Sequence, residues 1–229
     1  SGLQGTHNLI WKLAGVIRGW AGTSLLETYD LERRQVTEIN AEASFRNSVN
    51  FGAIGEAYRH GGDVEAALRQ AESYGRFAGL DLGVRYAEGA FSDDCTQPTP
   101  LQETTEIYDH CAAPGVRAPH VWLESENEKI SSLDLFDAGF CLLAGKDGDA
   151  WVSAAHDLQE TYDIPLTAYI IDGRDSNLKS ETWAATYGVN ETGAVLVRPD
   201  GHIGYRNKEG VGNYHQALTH ALDVCLGRE

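Results

Sequence analysis

Phe140-Cys141-Leu142-Leu143-Ala144, Leu166-Thr167-Ala168-Tyr169-Ile170-Ile171 and Ala194-Val195-Leu196-Val197-Arg198-Pro199-Asp200-Gly201-His202-Ile203-Gly204-Tyr205-Arg206 decide the fold. The first two are short apolar runs of strand length. The third is two runs, Ala194–Arg198 and His202–Arg206, around a Pro-Asp-Gly turn signal, which predicts an antiparallel hairpin. Between them lie helix-like stretches. Asp149–Tyr162 repeats Trp151, Val152, Ala155 and Leu158 at helical spacing, and Leu178–Tyr187 is expected to be a second helix stopped by Gly188. Asn213 is placed to cap a last helix carrying Ala217, Leu218, Ala221, Leu222 and Cys225.

Strand, helix, strand, helix, hairpin, helix is the order of an α/β thioredoxin-like domain, parallel at first and then antiparallel. A ferredoxin-like or other small α/β sandwich is the competing arrangement. Working back from it, residues 92–119 hold four of the six prolines (Pro98, Pro100, Pro114 and Pro119) and read as an extended connection. The first part of the chain is helical in pattern. Ile10, Leu13, Ala14 and Ile17 mark one helix, ended by Gly19–Gly22. Ser24 and Glu27 form a candidate capping box for a second, which runs with breaks to about Tyr58, before His60-Gly61-Gly62. Asp63 is placed to cap a third, through Ala66, Ala67, Leu68 and Ala71. None of these helices has a strand partner nearby in sequence, although a helix must bury its apolar stripe against something.

The chain has 229 residues, 42% apolar and 23% charged, which suits one or two soluble globular units. Lys and Arg total 18 against 34 Asp and Glu, a formal charge of −16 that argues against nucleic-acid and anionic-membrane partners. No apolar run approaches the roughly 18 residues of a spanning helix. Cys95, Cys111, Cys141 and Cys225 are scattered with no CxxC, a pattern that reads as reduced and cytoplasmic. The chain holds no methionine, so Ser1 reads as the end of a processed chain or the start of a fragment.

Two stretches carry a family resemblance. Gly2-Leu3-Gln4-Gly5-Thr6-His7-Asn8-Leu9-Ile10-Trp11-Lys12-Leu13, with Arg18-Gly19-Trp20-Ala21-Gly22 after it, resembles the helix that follows the second flavin-contact motif of FAD-dependent aromatic-ring hydroxylases. Gly5-Thr6 replaces that family's usual Asp-Ala. Tyr29-Asp30-Leu31-Glu32-Arg33-Arg34 resembles its Tyr-x-x-Glu-Arg-Arg-Pro-Val, with Gln35 in place of proline. Asp81–Tyr86, Pro114–Leu123, Ser132–Phe136 and Gly193–His202 look like its connection into a C-terminal thioredoxin-like domain and that domain's hairpin. Phenol and chlorophenol 2-monooxygenases of the p-hydroxybenzoate hydroxylase superfamily look most similar.

The resemblance implies residues 1–91 as the helical end of an FAD-binding domain, 92–119 as a linker and 120–229 as a thioredoxin-like domain. It implies a parent enzyme that uses FAD, NAD(P)H and O2 to hydroxylate a phenol ortho to its OH, and a homodimer through helical or thioredoxin-like surfaces. The dinucleotide fingerprint and most of the substrate pocket have no counterpart here, since Gly210-Val211-Gly212 is too short and follows a hairpin. The chain is thus expected to be roughly the last third of such an enzyme, silent on its own. The alternative is a stand-alone, redox-inactive thioredoxin-like scaffold.

Gly2, Leu3 and Gln4 are the expected cofactor-binding residues. Their backbone N–H groups open a helix, and by resemblance that end points at the pyrimidine edge of the flavin. No catalytic or metal-binding residue is expected. The loop Ala144-Gly145-Lys146-Asp147-Gly148-Asp149 lacks the sulfur a redox domain needs, and Thr192-Gly193 stands where a cis-proline would. Asp109-His110-Cys111 cannot converge as consecutive residues, and His215 and His220 are poorly spaced for a metal. His120 is expected to make a local hydrogen bond, and Arg33-Arg34 to pair with Glu32 and Glu38 on a helix face.

Overall fold

A computed structural model describes residues 2–72, 76–125, 128–174 and 176–228. The chain starts with α1 (Gly2–Arg18), α2 (Thr28–His60), α3 (Val64–Gln70) and α4 (Ala78–Leu82). It continues through β1 (Trp122–Ser125), β2 (Glu128–Ser131), β3 (Phe140–Ala144), α5 (Asp149–Tyr162), β4 (Leu166–Ile170), β5 (Leu178–Lys179) and α6 (Trp183–Tyr187). It finishes with β6 (Ala194–Val197), β7 (Ile203–Asn207) and α7 (Tyr214–Leu226).

The apolar runs form a four-stranded sheet in the order β4-β3-β6-β7. β3 lies parallel to β4 and antiparallel to β6, and β6–β7 is the expected hairpin. Every residue of β3 and β6 is buried, as central strands covered on both faces require. The two-residue period sorts their side chains. Phe140, Leu142, Ala144, Ala194 and Leu196 join Trp151, Leu158, Leu218 and Leu222 of α5 and α7. Cys141, Leu143, Val195 and Val197 join Leu123, Trp183 and Tyr187 on the other face.

Two local expectations fail. Leu178–Tyr187 is not one helix: Leu178 and Lys179 pair with Ser125 and Glu124 of β1, and the helix begins only at Trp183. Asp172 Oδ1 accepts a hydrogen bond from the Ser180 N–H at 2.8 Å, holding the chain extended where helix was expected. The resulting sheet, β2-β1-β5, had no sequence expectation. Nor do Ser24 and Glu27 form a capping box. Thr23–Leu26 make a 3-10 turn, and Ser24 Oγ donates to the Gly227 carbonyl at 2.7 Å, closing the end of α7 instead. Asp63 does cap α3, accepting from the Ala66 N–H at 2.9 Å.

The N-terminal helices find their partners at long range. Trp11 and Trp20 meet Phe140 edge-on, with centroids 5.8 and 6.5 Å away, so α1 completes the core over the α5/α7 face. Val36, Ile39 and Ala43 of α2 pack with Leu80, Val84, Tyr86 and Leu101. Residues 92–119 are mostly irregular, yet Ala112, Ala113, Val116 and Ala118 are buried, and Arg117 bridges to His202 of the hairpin.

Candidate functional site

Charged side chains are almost never fully buried unless paired, so Lys12, Glu32, Arg198 and Asp200, all buried, mark where the molecule is most specifically built. Arg198 leaves the end of β6 pointing inward, and all five of its N–H donors are used. Nε and Nη2 reach Asp200 Oδ1 and Oδ2 at 3.0 and 2.5 Å. Nη1 and Nη2 reach Glu32 Oε1 and Oε2 at 2.7 and 3.0 Å, and Nη1 also reaches the Ala90 carbonyl at 3.1 Å. Only a guanidinium has this planar fork, which grips two carboxylates at once.

α1 supplies the rest. Lys12 Nζ donates to Glu32 Oε2 and to Thr28 Oγ1, each at 2.7 Å. Asn8 Nδ2 bridges Glu32 Oε2 at 2.5 Å and Asp200 Oδ2 at 2.9 Å. The Ala90 N–H donates to Glu32 Oε1 at 2.8 Å. Arg198 lies over the Trp11 and Tyr86 rings, 5.3 and 5.6 Å from their centroids. His202 stacks on Tyr86 at 4.4 Å, with Nδ1 3.5 Å from Asp200 Oδ1.

Burial opposes ionisation of Glu32, but Arg198 and Lys12 overcome it and bring its pKa down to about 2. Burial likewise opposes the charge on Asp200, yet Arg198 and then His202 hold its carboxyl well below the usual range. Burial lowers Lys12 to about 8, partly offset by Glu32, so it carries its proton at neutral pH. Two cations facing two carboxylates make the cluster neutral as a unit.

The expected cofactor-binding residues lie together on the first turn of α1, on the outer side of this cluster. Gly2 and Leu3 are exposed, Leu3 at 89%, and Gln4 turns its side chain away to donate from Nε2 to the Asp81 carbonyl at 3.2 Å. The turn contains no acidic residue, and a side chain built at Gly2 would meet nothing within 4 Å. Its N–H groups have no acceptor within the helix. These donors fit the electron-rich edge of a flat heterocycle such as a flavin.

Other candidate residues resolve simply. Cys141 and Cys225 are buried, and burial pushes each thiol up to about 12. His120 Nδ1 makes its local contact, 2.7 Å from Ser131 Oγ. His110 packs against Tyr108, and His215 lies near Thr219 on its own exposed helix face. Arg34 pairs with Asp30 at 2.5 Å, and Arg33 is buried with Nη1 3.5 Å from Tyr86 Oη. Glu32, expected beside them, turns inward to Arg198. Among the described residues no His, Cys, Asp and Glu group could hold a metal, and no helix is long and apolar enough to cross a membrane.

Residues 111–228 match the family model for the C-terminal region of aromatic-ring hydroxylases, and residues 1–44 match that of an FAD-binding domain. The chain belongs to the FAD-dependent aromatic-ring hydroxylases. Tetracenomycin B2 monooxygenase-dioxygenase of Streptomyces olivaceus is 36% identical over 228 residues, 99% of this chain and 39% of that enzyme. Phenol 2-monooxygenase of a Pseudomonas strain is 31% identical over 253 residues, 97% of this chain and 42% of the relative. The chain therefore spans about two fifths of these hydroxylases. The flavin-dependent monooxygenase PieE, solved with FAD and substrate, superposes with a TM-score of 0.85 at 29% identity, covering 99% of this chain and 44% of PieE. Aklavinone-11 hydroxylase, solved with FAD and aklavinone, does so with a TM-score of 0.70 at 30% identity, over 96% of this chain and 38% of that one.

Sequence reasoning singled out the first turn of α1 and missed the ion cluster of Lys12, Glu32, Arg198 and Asp200. The available signal was Arg198-Pro199-Asp200-Gly201-His202 itself, since a charged residue closing a wholly apolar strand needs a buried partner.

Proposed function

We propose that this chain is the flavin-contacting end and the C-terminal unit of an FAD- and NAD(P)H-dependent monooxygenase that adds one hydroxyl to a phenolic ring, ortho to its OH. Residues 1–91 close the FAD-binding domain, 92–119 connect, and 120–229 form a thioredoxin-like unit without redox chemistry. The observation that carries the reading is the first turn of α1, free of acids and open at Gly2.

A bound flavin would supply the redox chemistry, with NAD(P)H as electron donor and O2 as oxidant. This chain's part is to bind and orient. The N–H groups of Gly2, Leu3 and Gln4 would hold the pyrimidine edge of the flavin, and the positive end of the helix would favour negative charge there. Gly2 lets the backbone approach closely. Leu3, Ile10, Leu13 and Ile17, all exposed on α1, form an apolar stripe that the remainder of an FAD-binding domain would cover, keeping water from that edge. The C-terminal unit packs and stabilises, and a cytoplasmic homodimer suits its role.

The test uses the enzyme encoded by the whole reading frame that contains this chain, assayed with NADH, NADPH and a panel of mono- and polycyclic phenols. The expected result is bound FAD and nicotinamide oxidation stimulated by a phenol that is converted to its ortho-hydroxylated product. An enzyme without flavin, or one that no phenol stimulates, overturns the reading. Residues 1–229 alone are expected to retain no FAD and to oxidise no nicotinamide.

A further inference from the structure

The ion cluster joins stretches that lie far apart in the chain. Asn8, Lys12 and Glu32 belong to α1 and α2, whereas Arg198 and Asp200 belong to the β6–β7 turn. A helix rises about 1.5 Å per residue, so Asn8 sits only about 6 Å along the axis from Gln4. Gly15 packs under Trp20, where an added side chain would come within 2.5 Å of the ring, so α1 is also held at its far end. At the near end Gln4 donates to the Asp81 carbonyl, and one turn further on the helix meets the cluster.

We propose that Arg198 is a positioning residue for the flavin-facing turn of α1, with the β6–β7 turn gripping the helix through Glu32 and Asn8. This rests on the reading under Proposed function. Arg198 reaches no flavin itself. Its fork fixes Glu32 and Asp200 in one plane, and Asn8 Nδ2, bonded to both carboxylates, sets the rotation and depth of α1. The stacking of Arg198 over Trp11 extends that grip to the next turn. The charge effect of a helix end falls off within one turn, so a small displacement of Gly2–Gln4 is felt by a bound anion-like edge. The C-terminal unit, which carries no redox pair, thereby gains a role in flavin binding.

Arg198→Lys keeps the charge and loses the fork. In the flavin-loaded enzyme it is compared with Leu143→Ala, a buried change on the opposite face of the sheet that destabilises without touching α1. The FAD dissociation constant is expected to rise about tenfold in Arg198→Lys and to stay at the wild-type value in Leu143→Ala. Hydrogen exchange of the α1 amides in residues 1–229 should quicken in Arg198→Lys and not in Leu143→Ala. Asp200→Asn, which neutralises one of the two carboxylates held by Arg198 and Asn8, should move both readouts in the same direction, and it serves if Arg198→Lys does not fold. Wild-type affinity in both cluster variants, or an equal loss in Leu143→Ala, overturns the inference while leaving the proposed function intact. A wild-type enzyme that binds no FAD overturns both.

Discussion

Replacing Glu32 with Gln keeps the shape of the side chain and removes the charge that Arg198, Lys12, Asn8 and the Ala90 N–H all address. Arg198 and Lys12 would then face one carboxylate, Asp200, and Lys12, whose charge Glu32 supports against burial, would be left either as an unbalanced buried cation or as an unpaired amine. Breaking a buried pair in this way typically destabilises by about 3–5 kcal/mol. The drop of the Glu32 pKa from 4.5 to about 2 points to the same scale, about 3 kcal/mol. For a chain of this size that is a fall in Tm of about 10 °C. The sign of the pH dependence follows. A carboxyl whose folded pKa lies below its unfolded value stabilises fully above the unfolded value, and the contribution fades as pH falls from about 4.5 towards about 2. Urea unfolding of residues 1–229, followed by tryptophan fluorescence at neutral pH and along an acid series, reads both effects. Glu32→Gln should be less stable at neutral pH and lose less stability on acidification than wild type. A loss under about 1 kcal/mol, or equal acid slopes, would refute the cluster as described.

Phe140→Ala removes the ring on which Trp11 and Trp20 both rest, and should cost about 3–5 kcal/mol in denaturant unfolding while blue-shifted tryptophan emission moves to the red. Gly22→Ala would place a Cβ 1.8 Å from the Gly227 carbonyl and force apart the turn and the end of α7; calorimetry should show a markedly lower Tm, and an unchanged one would contradict the packing. Thiol labelling of the native protein should modify Cys95 and Cys111, which are accessible, and spare Cys141 and Cys225 until denaturant is added. Fast reaction at all positions would mean the sheet is not closed.

The parts legible in the sequence were those whose signal is local. β3 is a short apolar run, β6 and β7 flank the Pro199-Asp200-Gly201 turn, α5 has an unbroken helical period, and Asn213 and Asp63 cap the helices they precede. The misread parts depend on partners far away. Ser24 is bonded to a carbonyl 203 residues on, so its match to a local capping pattern was overridden. β5 is two residues long and exists only because β1 lies beside it. Glu32 stands next to two arginines, yet its partner Arg198 is 166 residues away, and a pairing rule built on neighbours selects Arg33 and Arg34. The interest of the first turn of α1 came from the resemblance, and its role belongs to the proposal.

Isotope tracing tests the central claim most directly. The enzyme from the whole reading frame is given a phenol that stimulates nicotinamide oxidation under oxygen-18 gas, and the product is weighed by mass spectrometry. The account predicts one labelled oxygen atom in each hydroxylated product, ortho to the original OH. Product carrying oxygen from water, or nicotinamide consumed without any hydroxylated ring for every phenol tried, would contradict it.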